Sequence, residues 1–485
     1  MTHILIKLKN ITALFLTGLW IGLSFTSCSD YLDVRPKSQI PIGLHFERES
    51  GFTDQLTGVY SKLCEESLYG REMTFGLVEV LAQNYDLESR NVYEYAAAYR
   101  YTETNTKNRI DAMWAGTYNA IANLNVILNN IDDVDRNIFT ENHYQLYKGE
   151  ALGLRSFLYF DLLRLFATSY AENPGAPGIP YVTEYAPEIT AKTTVGQTLD
   201  NILSDLTKSV ELLAVDSLKA SATPYTYRSR RKYFNYFAAE LTLARAYLYK
   251  GDKTNALKHA NVVIEENEKT VNSALTWTHF TALETSYEYE CDRTFSTEQI
   301  FQLNLNRMED ITSAYFTAKA GINTLSPNDN KADLIYEKTS KGYGNDYRMN
   351  NCFKFDGVRV DKYLSKFWQY ENGPYNKIFP LIRLTEAYYI AAEALKDTEP
   401  AKAVELLNTV RSHRKLTEFP LSATLSANEI QEEIFKEYRK EFLGEGQLFY
   451  YYKRLNLPVI DGAGVIANNS VYVLPLPDNE IEFGQ

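Results

Sequence analysis

The sequence predicts a mainly α-helical fold in which helix pairs stack into one body interrupted by long, loop-rich insertions. Apolar residues recur at helical spacing in several segments, and breaker-rich turns divide those segments at matching positions. The composition, 45% apolar with only 24 glycines and 15 prolines in 485 residues, supplies enough apolar surface for a large core.

In chain order the first element is an export signal. Lys7 and Lys9 are the only charged side chains in residues 1–27, and an apolar run from Ile11 to Phe25 follows them. Charged, apolar and small residues in that order form a cleavable leader. The run is shorter than the ~20 apolar residues that span a bilayer, and it ends in Thr26-Ser27-Cys28. Cys28 is therefore the predicted lipid attachment site, with residues 28–485 left as a single domain; an ordinary cleavage site or a membrane anchor is the alternative. Each buried methylene of an acyl chain contributes ~0.8 kcal/mol, so two or three chains hold firmly while the polypeptide stays in water.

Helix pairs come next. Two helical segments lie around Trp114 to Ile131 and Leu146 to Phe166, the second with Leu154, Leu158, Leu162 and Leu165 facing inward. Phe234, Phe237, Leu241, Ala244 and Leu248 form another stripe, ended by a Gly251-Asp252 turn, and Ala256, Ala260 and Val263 share a face beyond it. Small residues at Ala244 and Ala256 would sit where those two helices touch. From Pro380 to Arg411 the arrangement recurs, with Ala391 and Ala403 on either side of a turn at residues 396–400. Pairs at 114–166, 234–265 and 380–411 resemble tetratricopeptide units without their early tryptophan. About four such pairs are expected, because repeats of this kind close a core only when stacked.

Between the pairs, residues 167–195 and 265–376 have weak periodicity and read as loops. Long insertions of that kind often carry function, so a binding site is expected there rather than in the stack.

Charge and motif content narrow the function. With 50 basic and 62 acidic side chains the net charge is −12, and the one short basic cluster, Arg228-Ser229-Arg230-Arg231, is no phosphate-tracking surface. Beyond Cys28 only Cys64, Cys291 and Cys352 remain, which allows at most one disulfide and no zinc site. The six histidines lack His-Glu-x-x-His spacing, and neither a Gly-x-Ser-x-Gly elbow nor a phosphate-cradling loop is present. Adjacent carboxylates such as Glu65-Glu66 point to different helix faces. A binding protein without cofactor or metal fits best; a glycan-degrading enzyme and a scaffolding lipoprotein are the alternative classes.

Three stretches carry a family resemblance. Cys28-Ser29-Asp30-Tyr31-Leu32-Asp33-Val34-Arg35-Pro36, Arg439-Lys440-Glu441-Phe442-Leu443-Gly444-Glu445-Gly446 with Phe449-Tyr450 and Lys453-Arg454, and Leu474-Pro475-Leu476-Pro477-Asp478-Asn479-Glu480-Ile481 resemble motifs of the SusD/RagB nutrient-binding lipoproteins. Leu448 and Tyr451 depart from the arginine and aspartate usual there. The resemblance implies a monomeric lid-like protein, lipid-anchored at the cell surface on the outer membrane. It would sit on a SusC-like TonB-dependent β-barrel transporter and capture a nutrient, a glycan or oligosaccharide before a peptide. Phe449 and Tyr450 are expected to pack beneath the repeats.

A sugar site needs flat aromatic faces for C–H stacking and polar groups at their rim. Residues 84–101 have that composition and no helical stripe, which makes Tyr93, Tyr95, Tyr99 and Tyr101, with Asn84, Asp86 and Arg100, the first candidate site. Loops of this N-terminal region also build part of the ligand face in the family it resembles. Trp368, Tyr370 and Tyr375, around Asn372-Gly373-Pro374, form the second. Among 37 tyrosines many must be half-buried without a binding role.

Overall fold

Side-chain caps at Thr194, Asn235, Asp252 and Ser426 set where four of the longer helices begin. The computed structural model describes residues 42–185, 189–216, 230–357 and 362–484, and residues 48–485 form one compact unit. The leader, Cys28, the stretch 28–36, Arg228 and Ser229 lie outside the described residues.

The principal elements are α1 (Glu49–Leu63), α2 (Thr104–Asn130), α3 (His143–Phe166), β1 (Pro177–Pro180), β2 (Lys192–Thr194) and α4 (Val195–Leu213). There follow α5 (Tyr236–Lys250), α6 (Lys253–Asn267), β3 (Gln299–Asn304), α7 (Met308–Tyr315), β4 (Phe353–Phe355) and β5 (Lys362–Leu364). The chain closes with β6 (Ile378–Arg383), α8 (Leu384–Leu395), α9 (Pro400–Ser412), α10 (Ala427–Phe442) and α11 (Leu448–Arg454). The fold is mainly helical, as the sequence predicts.

The pair α5/α6 shows how the stack is specified. Asn235 accepts a hydrogen bond from the Ala238 amide at 3.1 Å and starts α5. Gly251, at φ 84, ends it in a left-handed turn where a Cβ would be strained. Asp252 then caps α6 through the Asn255 amide at 3.1 Å. Ala244 and Ala256 are fully buried in the two helices, which pack on each other. Packing continues along the chain, α1 on α2, α2 on α3, α3 on α4, α4 on α5, α6 on α8, α8 on α9 and α9 on α10. Leu154, Leu158, Leu162 and Leu165 of α3 have no exposed surface, each burial contributing roughly 1.5–3 kcal/mol.

Two sequence expectations change. Pro380 does not open a helix: Ile378–Arg383 is strand β6, paired antiparallel with β3 in the register Leu303↔Phe379, and the helix starts at Leu384. The run Ile-Phe-Pro-Leu-Ile satisfies a strand because its partner strand lies in the insertion, about eighty residues earlier. Nor is the insertion structureless, since it holds β3, α7, β4 and β5 besides short helices. Cys64, Cys291 and Cys352 are free thiols, and no described helix is long and apolar enough to cross a membrane.

Residues 437–451 tie the stack to the insertion. Glu441 accepts from Arg383 Nη1 at 2.5 Å, Arg414 Nη2 at 2.8 Å and Arg348 Nη1 at 3.1 Å, all buried. Burial alone would raise the Glu441 carboxyl, but the guanidinium groups of Arg414, Arg383 and Arg348 hold it well below the usual range. Lys366 reaches the same region from the insertion, donating to the carbonyls of Glu441 at 2.8 Å and Leu443 at 3.1 Å and pairing with Glu445 at 2.5 Å. Gly446, at φ 70, lets its amide donate to Glu79 at 2.9 Å, while a Cβ there would stand 2.8 Å from the Thr74 carbonyl oxygen. Leu448, Phe449 and Tyr450 are buried, and Tyr451 accepts from the Gln431 amide at 2.5 Å. The motif is thus structural.

Candidate functional site

The insertion builds a cleft from four short stretches of backbone. Strand alternation on β4 buries Phe353 and turns Phe355 outward, 56% exposed. Beyond β5 the chain passes the anchored Lys366 and presents Trp368, whose indole N–H donates to the Phe316 carbonyl at 2.9 Å. Helix α7 supplies Glu309, Thr312 and Ser313, and the Thr312 hydroxyl donates to the Phe367 carbonyl at 2.9 Å. Between them lies a cleft of about 470 Å³ lined by Phe355, Trp368, Tyr370 and Gln369, with Thr312, Ser313, Thr317, Lys319, Lys354, Asp356, Glu288 and Glu309.

Its electrostatics are mixed. Lys354 lies 3.7 Å from Glu288, which also pairs with Arg293. Asp356 accepts from the Ala318 amide at 2.6 Å. Partial burial pushes the Tyr370 phenol up, helped by Glu288 and opposed by Arg293, so the hydroxyl stays a neutral donor at neutral pH. Tyr287 and Tyr289 are exposed with ring centroids 5.6 Å apart, and a Cβ on Gly373 would stand 2.6 Å from the Tyr289 carbonyl oxygen, which places them against the 370–373 turn. Rings open to solvent within a polar rim can stack on an apolar ring face and hydrogen-bond its edge, and the volume falls in the ~300–1,000 Å³ range of small-molecule sites.

The second sequence-predicted site is therefore partly assembled here. Trp368 and Tyr370 line the cleft; Tyr375 is half-buried and does not. The first segment is arranged differently. Tyr93 has no exposed surface, its hydroxyl donating to Glu72 at 3.0 Å beneath Arg109, whose guanidinium carbon lies 4.5 Å from the ring centroid. Asn84 is fully buried between Glu79 at 2.6 Å and Arg439 at 3.0 Å. Tyr101 is 6% exposed and donates to the Val471 carbonyl. Asn84 and Tyr93 are out of a ligand's reach because distant partners, invisible in local composition, claim them, whereas Tyr101, with Tyr99 and Arg100, lines a separate, more open pocket of about 860 Å³. Tyr99 is half-buried with its hydroxyl on the Leu81 carbonyl at 2.9 Å, and Asp86 is held by the Asn328 amide and Lys331, both at 2.8 Å. Only Tyr95 and Arg100 stand exposed, with the Arg100 guanidinium 5.9 Å from the Tyr95 ring centroid.

Sequence reasoning missed Phe355, which lines the cleft. A signal for Phe355 exists in Phe353-Lys354-Phe355-Asp356-Gly357, an alternating strand running into a turn.

Comparison with known proteins agrees with this architecture. The profile of a family described as starch-binding and associating with the outer membrane matches residues 30–248, and that of the SusD family matches residues 294–458. A SusD-like protein of Formosa agariphila is 24% identical over 93% of this chain and 93% of its own. The crystal structure of a putative sugar-binding protein from Bacteroides vulgatus is similar at a TM-score of 0.67 with 24% identity, covering 90% of this chain and 97% of that one. A laminarin-binding SusD-like protein is similar at 0.66 with 19% identity, covering 90% and 98%. The two SusD-related profiles together take in most of the chain's length, and on that match the chain belongs to the SusD family.

Proposed function

We propose that the protein is a cell-surface lipoprotein, anchored in the outer membrane through Cys28, that captures a glycan or oligosaccharide and passes it to a SusC-like TonB-dependent β-barrel transporter. The observation that carries the reading is the row of rings around one polar-rimmed cleft, exposed Phe355 and Tyr370 with half-buried Trp368 between them in the lining. Relatives named for sugar and laminarin binding support the choice of glycan over peptide. Capture needs no bond to break: stacking and rim hydrogen bonds hold the sugar while its hydroxyls stay chemically unchanged.

The test is binding of the purified chain to a panel of polysaccharides including laminarin and starch, and of peptides, followed by calorimetry on the best binder. Trp368→Ala is expected to weaken glycan binding about tenfold, ~1.4 kcal/mol, with the melting temperature little changed. A panel in which no glycan binds, binding to peptides alone, or a Trp368→Ala protein that binds as the parent does would each refute the reading.

A further inference from the structure

Beside the cleft stands a pair of rings that does not line it. Tyr287 and Tyr289 are 59% and 44% exposed, with centroids 5.6 Å apart and planes tilted by 31°. Each ring shields part of one face of the other and leaves the rest to solvent. With Tyr370 at 40% and Phe355 at 56% exposure, they make a patch of rings around one rim rather than a scatter. Single exposed apolar side chains need no explanation, whereas a contiguous patch marks a ligand groove or a protein contact.

The pair is built onto the cleft. Glu288, between the two tyrosines in sequence, lines the cleft and stands 3.7 Å from Lys354. Arg293, 2% exposed, holds this segment from below. Its Nη1 donates to the Glu288 carbonyl at 3.2 Å and to the Trp368 carbonyl at 3.5 Å, and its Nη2 donates to the Glu288 carboxylate. One buried guanidinium therefore ties the backbone of the pair to the backbone of Trp368. From the other side the Tyr289 carbonyl meets Gly373, where a Cβ would stand 2.6 Å from its oxygen. The Gly373 amide donates to the Tyr370 carbonyl at 2.8 Å, closing a turn whose ends lie within ~7 Å of each other. Tyr289 is thus held a short step from Tyr370.

We propose that Tyr287 and Tyr289 form a second stacking subsite on the rim, so that the ligand is a chain of several sugar units lying across cleft and pair, and not a mono- or disaccharide. The inference rests on the reading of the cleft as a glycan site and adds to it the length of the ligand. A cleft of about 470 Å³ sits in the lower half of the ~300–1,000 Å³ range of small-molecule sites, so a longer chain must leave it over the rim. Tyrosine suits that place, because its ring offers an apolar face to sugar C–H groups while its hydroxyl stays wet. The pair's neighbours in sequence, Thr285, Ser286, Glu288 and Glu290, are polar. They fit a hydroxyl-rich chain better than the centre of a protein interface, which is depleted of charge.

Calorimetry of the full chain with fragments of one glycan, from dimers to octamers, tests this. The glycan is the polysaccharide of the panel that the parent binds, with laminarin and starch fragments tried first. Affinity is expected to rise about tenfold from the shortest fragments to the longest. In Tyr287→Ala/Tyr289→Ala, long fragments should bind about tenfold more weakly and dimers as before, with the melting temperature unchanged. Trp368→Ala should instead weaken all lengths by a similar factor. A parent that binds every length equally, or a folded double variant that keeps the gain with length, would overturn the inference while the cleft reading stands. Should the double variant not fold, Tyr287→Ala alone decides: a loss of about threefold on long fragments only is expected, and no loss overturns the inference. Binding of no glycan at all would bring down both.

Discussion

Two groups of tyrosines, those of residues 84–101 and those beside the cleft at Tyr287, Tyr289 and Tyr370, differ in fate. In the first, Tyr93, Tyr101 and Tyr85 are buried, two of them with hydroxyls committed to Glu72 and to the Val471 carbonyl. In the second, Tyr287, Tyr289 and Tyr370 are 59%, 44% and 40% exposed, and Phe355 joins them at 56%. Whether an aromatic ring becomes core or platform depends on whether another part of the chain brings it a polar partner and a lid. Arg109 and Glu72 do so for Tyr93; Tyr370 and Phe355 stay open to solvent, Phe355 with the Lys362 ammonium over its ring, 5.4 Å from the centroid.

The contrast can be broken by substitution. Its largest consequence is for stability at the buried region: Tyr93→Ala should cost ~3–5 kcal/mol in urea unfolding, through cavity formation and the loss of a partner for buried Glu72. A loss below about 1 kcal/mol would mean that the ring is not part of the core. Next in size are Phe355→Ala and Tyr370→Ala, expected to weaken binding of the glycan found in the panel by ~1 kcal/mol each while leaving the unfolding midpoint in place. Binding unchanged in both would leave Trp368 as an isolated contact and shrink the platform to one ring. Smallest is Tyr95→Ala, which should alter stability by no more than ~0.5 kcal/mol, as exposed substitutions do, and leave glycan affinity as it was. A clear loss of affinity would extend the binding surface to the N-terminal segment.

The helix pairs were legible because their information is local. Asn235, Gly251 and Asp252 mark the ends of α5 and the start of α6 within a few residues of the stripes they bound. Strand β6 was not, since Ile378-Phe379-Pro380-Leu381-Ile382 is equally apolar as a helix start and its partner Gln299–Asn304 is far away in sequence. The cleft was half legible. Trp368 and Tyr370 stand beside Asn372-Gly373-Pro374, a turn that signals exposure, whereas Tyr93 looks the same locally and is enclosed by Arg109 and Glu72. Local composition cannot report a neighbour brought in by tertiary packing.

Lys366 sits two residues before Trp368 with its ammonium group buried against the Glu441 and Leu443 carbonyls and Glu445. Its consequence is kinetic. A ring whose backbone is fixed from below, and whose indole N–H already rests on Phe316, has little rotamer freedom left to lose when a sugar arrives. Immobilising a side chain on binding otherwise costs ~0.5–1.5 kcal/mol, so a stiff shelf keeps that free energy for the ligand. Among related ligands of one site, affinity differences fall mostly on how long each one stays. A shelf of this kind suits the proposed role, in which a bound sugar has to leave again.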